Sequence, residues 1–252
     1  MKILKKPVNA KSRQGFREWY GTTTSGRILQ SIEAAYLQNS LQLTYRQTIL
    51  QVGVLGSEHI FIPEDFKNQF VTLSLDSDNP CPRGAALRGD VQALPLASAS
   101  VDVLIVPHVL EFVDDPHAVV REIDRVLKPE GKVFVLCFNP LSVRALLQSR
   151  VQRRAFGSFN LIPPYRVLDW MSLLNLDARY HAGFSAATGE VILSPSSWFQ
   201  CSRAYLSMAY AVRAIKRVYT VVPMQPSWVP AQGLLAGQIA ETSLTHQRRP
   251  AA

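Results

Sequence analysis

Four side chains and one turn of this 252-residue chain have the types and positions to handle a polar ligand: Asp76, Asp90, His108, Glu111 and the segment from Gln51 to Ser57. His108 follows Pro107 at the end of an apolar run, and an unperturbed imidazole titrates near neutral pH, so it is a candidate general base. Glu111 lies one helical turn further on if the chain coils there. An ionised carboxylate only accepts hydrogen bonds, which suits Asp76 and Asp90 to ligand hydroxyl and amino groups. In the turn, Gly53 and Gly56 let backbone approach a ligand where a side chain would fill the space, while Leu55 narrows it. Each has an ordinary competing reading: a structural histidine, turn aspartates and a plain strand-to-helix connection.

These residues need elements to hold them. Val101 to Val106 is an unbroken, β-branched-rich run with only Asp102 polar, the pattern of a parallel strand buried on both faces. Asp115 and Pro116 then start a helix, since the carboxylate can accept first-turn N–H groups and proline at the first helical position gives up no hydrogen bond. Val119, Val120, Ile123, Val126 and Leu127 recur at helical spacing, and Lys128 to Gly131 stops that helix with a turn. Val133 to Phe138 is a second buried run, after which Asn139 and Pro140 can cap another helix. Strand, helix and strand without room for a hairpin require a right-handed parallel crossover.

Elsewhere the pattern predicts a helix over Gly26 to Leu37, strands at Thr48 to Val52, Phe70 to Leu75 and Ala86 to Arg88, and a helix from Pro163 and Pro164 through Leu174. Asp177 to Phe184 reads as extended, and Tyr205 to Val222 holds one or two strands. The organisation expected is a basic tail over 1–15, one α/β domain over 16–224 and a disordered tail over 225–252. Open parallel sheets bind ligands beyond the carboxyl ends of their strands, where strand order reverses. Gln51, Gly53, Gly56, Asp76, Asp90, Val91, Pro107 and His108 are all placed at such ends.

The stretch from Gly89 to Pro140 carries, in order, Asp90, Leu94-Pro95, Ser100-Val101-Asp102, Leu110 to Phe112, Asp115-Pro116 and Leu127-Lys128-Pro129-Glu130-Gly131. In this it resembles the S-adenosylmethionine-dependent class I methyltransferases, in particular their type 11 branch. Trp19 with Gly26, the segment from Asp169 and that from Ala211 are similar to an uncharacterised bacterial subgroup of the branch. The resemblance implies a Rossmann-like, mostly parallel sheet with helices on both faces, S-adenosylmethionine as cofactor and a small-molecule methyl acceptor. It implies that Asp76 takes the ribose hydroxyls, that Asp90 takes the adenine amino group while Val91 N–H meets the ring, and that Pro107 and His108 face the methyl group. It also implies that the helix before the first strand lies over or beside the cofactor pocket. The chain departs from the family at Gln51, where an acid is usual, and at Leu55 and Ser57, where glycines are usual. A module of this fold with weak or lost cofactor binding, using a basic surface for a partner, is therefore the alternative.

Composition narrows the classes further. A hydrophobic content of 47% supports one sizeable core. Cys81, Cys137 and Cys201 are far apart and unpaired in spacing, which supports neither a disulfide framework nor a metal site, and Cys137 reads as a small core residue. No segment approaches the ~20 apolar residues of a membrane span, and the basic start lacks the apolar stretch of a secretory signal, so the expected compartment is the cytoplasm. The net charge of +8 raises nucleic acid as a partner, yet the one concentrated basic stretch, Arg144 to Arg154, also has an apolar face. A solvated face is favoured, with an anionic acceptor next. The Asn/Asp-Pro-Pro-aromatic motif of enzymes that methylate amino groups on nucleic-acid bases is absent after His108, and VGVLGSE lacks the three-glycine fingerprint of a nicotinamide dehydrogenase.

Overall fold

Helix α1 (Ala10–Thr22) runs almost directly into α2 (Thr24–Ser40), and the junction explains the pairing of Trp19 with Gly26. Thr23 caps α2: its Oγ1 accepts from Gly26 N–H at 3.1 Å and donates to Trp19 O at 2.7 Å. A Cβ at position 26 would strike Trp19 O and stand 2.8 Å from the Tyr20 backbone, so glycine is what lets the two helices meet this closely. In the computed structural model, residues 10–44, 46–53, 69–74, 85–140, 142, 159–185, 189–193 and 207–218 are described. Helix α1 begins inside the stretch expected to be tail. The stretches 143–158, with the basic segment, and 219–252 lie outside the described residues.

The remaining elements are β1 (Thr48–Val52), β2 (Gln69–Ser74), β3 (Ala85–Arg88), β4 (Val101–Pro107), a short 3-10 turn at Leu110–Phe112, α3 (Pro116–Val126), β5 (Leu127–Phe138), α4 (Pro164–Leu173), β6 (Leu176–Ser185), β7 (Glu190–Leu193) and β8 (Ala209–Lys216). They form one eight-stranded sheet in the order β3-β2-β1-β4-β5-β8-β6-β7. β1 to β5 are mutually parallel, β8 is antiparallel to β5 and β6, and β7 is antiparallel to β6. This is the Rossmann-like, mostly parallel arrangement expected, with the reversal of strand order between β1 and β4.

Alternation sorts the core into two layers. Leu50, Leu104, Val106, Val133, Val135, Tyr210 and Val212 pack with Val119, Val120, Ile123, Val167 and Met171 of α3 and α4. Ile49, Ile105, Phe134, Leu136, Phe138 and Ala211 pack with Phe16, Tyr20, Leu29, Tyr36 and Leu37 of α1 and α2. Cys137 is buried in the first layer, as expected of a small core residue.

One expectation is corrected by tertiary context, one is narrowed and one element went unforeseen. Lys128 to Gly131 is not a turn after the helix but an excursion within β5: Val101 pairs with Leu127 and Val103 with Lys132, so the segment loops out while pairing resumes. Tyr205 to Val222 contains a single described strand, β8. β7 was not anticipated, because its four residues follow a short connection and carry little pattern of their own.

Candidate active site

At the carboxyl edge of β1, Gln51 is fully buried. Its Nε2 donates to Gly53 O at 3.2 Å, while Oε1 has no hydrogen-bond partner among the described residues. Gly53 adopts φ +87°, and its N–H continues the ladder to Leu73 O at 2.9 Å. A Cβ there would lie 2.8 Å from Val109 Cγ2, so the ends of β1 and β4 close on each other at the topological switch.

Beyond β3, Asp90 is exposed and folds its own turn, with Oδ1 accepting from Gln92 N–H at 2.9 Å and its carbonyl from Ala93 N–H at 3.1 Å. Val91 and Leu94 anchor the turn in the core. Pro95 packs on Gly89, where a Cβ would approach Pro95 Cδ to 3.0 Å. α3 holds the same loop: Leu94 N–H donates to Glu122 Oε2 at 2.9 Å, and Arg125 donates to Leu94 O and Leu96 O at 2.9 and 2.8 Å. The Arg125 hydrogen bonds keep the Glu122 carboxyl below its ordinary range despite some burial. The Leu-Pro pair is thus a strut between the Asp90 turn and α3.

His108 sits just after β4 with φ +51° and both ring nitrogens occupied. Nε2 lies 3.0 Å from Glu33 Oε1 and Nδ1 3.1 Å from Glu111 Oε1, and all three side chains are wholly buried. Tyr20 donates to Glu33 Oε2 at 2.6 Å, and Phe138 N–H donates to Glu111 Oε1 at 2.7 Å. Rings of Phe16, Tyr20 and Phe138 surround the imidazole, with centroids 5.2, 6.1 and 4.5 Å away. Burial alone would lower the His108 pKa, but the charges and hydrogen bonds of Glu33 and Glu111 outweigh it and push it up to about 10. Burial, with the charge and hydrogen bond of Glu33, also raises Tyr20 well above the usual phenol value. His108 is therefore an imidazolium clamped between α2 and the 3-10 turn, with no lone pair to receive a proton.

The fold brings Gln51, Gly53, Asp90, Val91, Pro107 and His108 to the same edge of four parallel strands. Gly56 and Asp76 lie outside the described residues, as does Leu55. Glu33 was not anticipated; its one signal is an acid inside the buried stripe of Leu29, Ile32, Tyr36 and Leu37. His117, the second residue of α3, is exposed and rests its ring on Trp170, with centroids 4.2 Å apart.

Residues 65–135 match a methyltransferase domain family, Methyltransf_11. Over these residues the chain is similar to methyltransferase domains. The chain is 36% identical over 100 residues to the uncharacterised protein YafS of Escherichia coli (strain K12), covering 39% of this chain and 42% of that protein. It is 32% identical over 109 residues to a malonyl-[acyl-carrier protein] O-methyltransferase of Methylovorus sp. (strain MP688), covering 43% of this chain and 34% of that one. The matched segments thus span less than half the length of these curated relatives. A Thermotoga maritima SAM-dependent methyltransferase superposes with a TM-score of 0.59 at 16% identity, over 82% of this chain and 100% of that one, which supports the same fold. The family match begins at residue 65, so the turn from Gln51 to Gly56 falls outside it.

Proposed function

We propose that this chain transfers a methyl group from S-adenosylmethionine to a small-molecule acceptor, holding the cofactor across the carboxyl ends of β1 to β4. The observation that carries this is Gln51 Oε1, a buried acceptor without a partner among the described residues, placed at the switch point beside the positive-φ Gly53. A buried polar atom left without a partner costs about 1–3 kcal/mol, so an unmet acceptor here fits a ligand that brings a donor, such as an ammonium group. Gln51 supplies acceptance without full charge. Asp76 is assigned the ribose hydroxyls, Asp90 the adenine amino group and Val91 N–H the ring edge, with Gly53 and Gly56 leaving room for the amino-acid end.

Bound S-adenosylmethionine supplies an electrophilic sulfonium methyl for in-line displacement, so the protein's part is positioning and exclusion of water. Pro107 and His108 shape the wall facing the methyl group. Because His108 already holds both ring protons between two carboxylates, it serves as a positioning residue that fixes α2 against the site, in place of the general base considered from sequence. The acceptor must then present a nucleophile that needs no proton removed by His108. A small metabolite fits this better than a nucleic-acid base, and no described helix is long and apolar enough to cross a membrane. We place the reaction in the cytoplasm.

Calorimetric titration of the full chain with S-adenosylhomocysteine tests the reading. Micromolar binding that weakens at least tenfold in Asp90→Ala supports it, together with transfer of labelled methyl to a metabolite extract. Silence up to millimolar ligand would favour the alternative that Gln51 raises, a binding module of this fold without tight cofactor affinity.

A further inference from the structure

The sheet face that α2 covers does not stay apolar along its whole length. Ala182 and Phe184 of β6 and Ala209 and Ala211 of β8 are buried, but below them the same two strands turn charged. The change occurs at a β-bulge: Tyr180 pairs with Val212 and Ala182 with Ala211, so His181 is an extra residue on β6. Bulges re-aim side chains and gather near functional sites. Here His181 Nδ1 meets Tyr36 Oη at 2.9 Å, which ties the bulge to α2. Beyond it, Asp177, Arg179, His181, Arg213, Ile215 and Arg217 line one open hollow of about 240 Å³.

The charges in this hollow do not cancel. Arg179 pairs with Asp177 at 3.3 Å, and Arg217 pairs with Glu130 from the β5 excursion. Arg213 has no carboxylate within ion-pair distance among the described residues, and its Nε is buried without a hydrogen-bond partner. Its guanidinium carbon stands over the Phe134 ring, 6.0 Å from the centroid, a cation–π contact that holds the group in place without neutralising it. Arg213 is also the direct cross-strand partner of Arg179. Like charges placed directly opposite destabilise a sheet, a cost that Asp177 offsets on the Arg179 side and that no described carboxylate offsets at Arg213, so an anion at Arg213 would relieve it. Burial and then Arg213 hold the His181 pKa below its ordinary value.

The hollow is separate from the cofactor edge. Arg213 pairs with Phe134, four residues before the end of β5 at Phe138, which at ~3.3 Å per residue puts it ~13 Å below that edge. β8 and β6 also lie on the far side of β5 from the switch point. Planar guanidinium forks match the oxygens of phosphate with paired hydrogen bonds, which a single ammonium cannot do.

We propose that the β6–β8 face centred on Arg213 is a binding site for a phosphate-bearing small molecule, distinct from the methyl-transfer site. Inorganic pyrophosphate, titrated calorimetrically into the full chain at constant ionic strength set with chloride, is the probe. Saturable binding is expected, weakened at least tenfold in Arg213→Gln and several-fold in the more exposed Arg179→Gln, with affinity for S-adenosylhomocysteine unchanged in both. Neither variant is expected to unfold the protein, because each removes a repulsion. The proposal is overturned if pyrophosphate gives no more than the chloride control, or if both variants bind it like the parent. It is equally overturned if single-stranded RNA or phosphatidylglycerol vesicles bind in an Arg213-dependent way while pyrophosphate does not, since that would make the face a macromolecular surface.

Discussion

The Glu33–His108–Glu111 cluster and the arginine face of β6 and β8 lie on the same side of one sheet, but α1 and α2 seal the first and leave the second open among the described residues. In the sealed cluster, water cannot share the charge, so each ionic group has a partner on another element: Glu33 from α2, His108 after β4, Glu111 from the 3-10 turn and Phe138 N–H from β5. On the open face, Asp177 and Arg179 stand in solvent and their pairing is worth about 0–1 kcal/mol, so charges there can be left over for a ligand. Burial decides whether an ion pair is structure or an available site.

The largest effect follows from breaking the sealed cluster. Glu33→Ala or Glu111→Ala removes one carboxylate of a buried ionic network, and urea unfolding is expected to show a loss of about 3–5 kcal/mol. A loss below ~1 kcal/mol would mean that water reaches these groups.

A pH series separates the two regions next. The folded His108 pKa, about 10, lies above its ordinary value near 6.5, so its contribution is fully present below pH ~6.5 and is lost as pH rises towards 10. Unfolding midpoints of the parent should therefore fall across that window relative to His108→Gln. Parallel curves would show that the imidazole is not held as a cation.

Tyr36 joins the regions, packing in the α2 layer while its hydroxyl meets His181. Tyr36→Phe should cost ~1 kcal/mol, the usual worth of one hydrogen bond, and should loosen pyrophosphate binding without touching the His108 titration. The smallest effect is expected from Arg213→Gln without ligand, within about 0.5 kcal/mol of the parent or slightly above it, because the lost charge faced another of the same sign.

Much of the fold could be read locally. Asp115 specifies the start of α3 by accepting first-turn hydrogen bonds at 3.0 and 3.3 Å, ahead of Pro116 at the first helical position, and β1 spans the Thr48–Val52 expected of it. What escaped depends on distant partners. Glu33 and His108 are 75 positions apart, so nothing near either residue reveals that they meet, and His108 reads as a base until Glu33 is placed beside it. Arg213 opposite Arg179 becomes visible only with the register of β8 on β6 and the bulge at His181. The excursion from Lys128 to Gly131 looks like a turn because its residues are turn formers, while its place inside β5 is set by pairing with β4.

The cofactor edge is tested most directly by Gln51→Leu, measured both by urea unfolding and by titration with S-adenosylhomocysteine. The variant loses the hydrogen bond from Gln51 Nε2 to Gly53 O but also an acceptor without a partner among the described residues, so stability should fall by no more than about 1–3 kcal/mol, while cofactor affinity falls at least tenfold. Unchanged affinity in a variant that folds as well as the parent would contradict the assignment of this edge to S-adenosylmethionine.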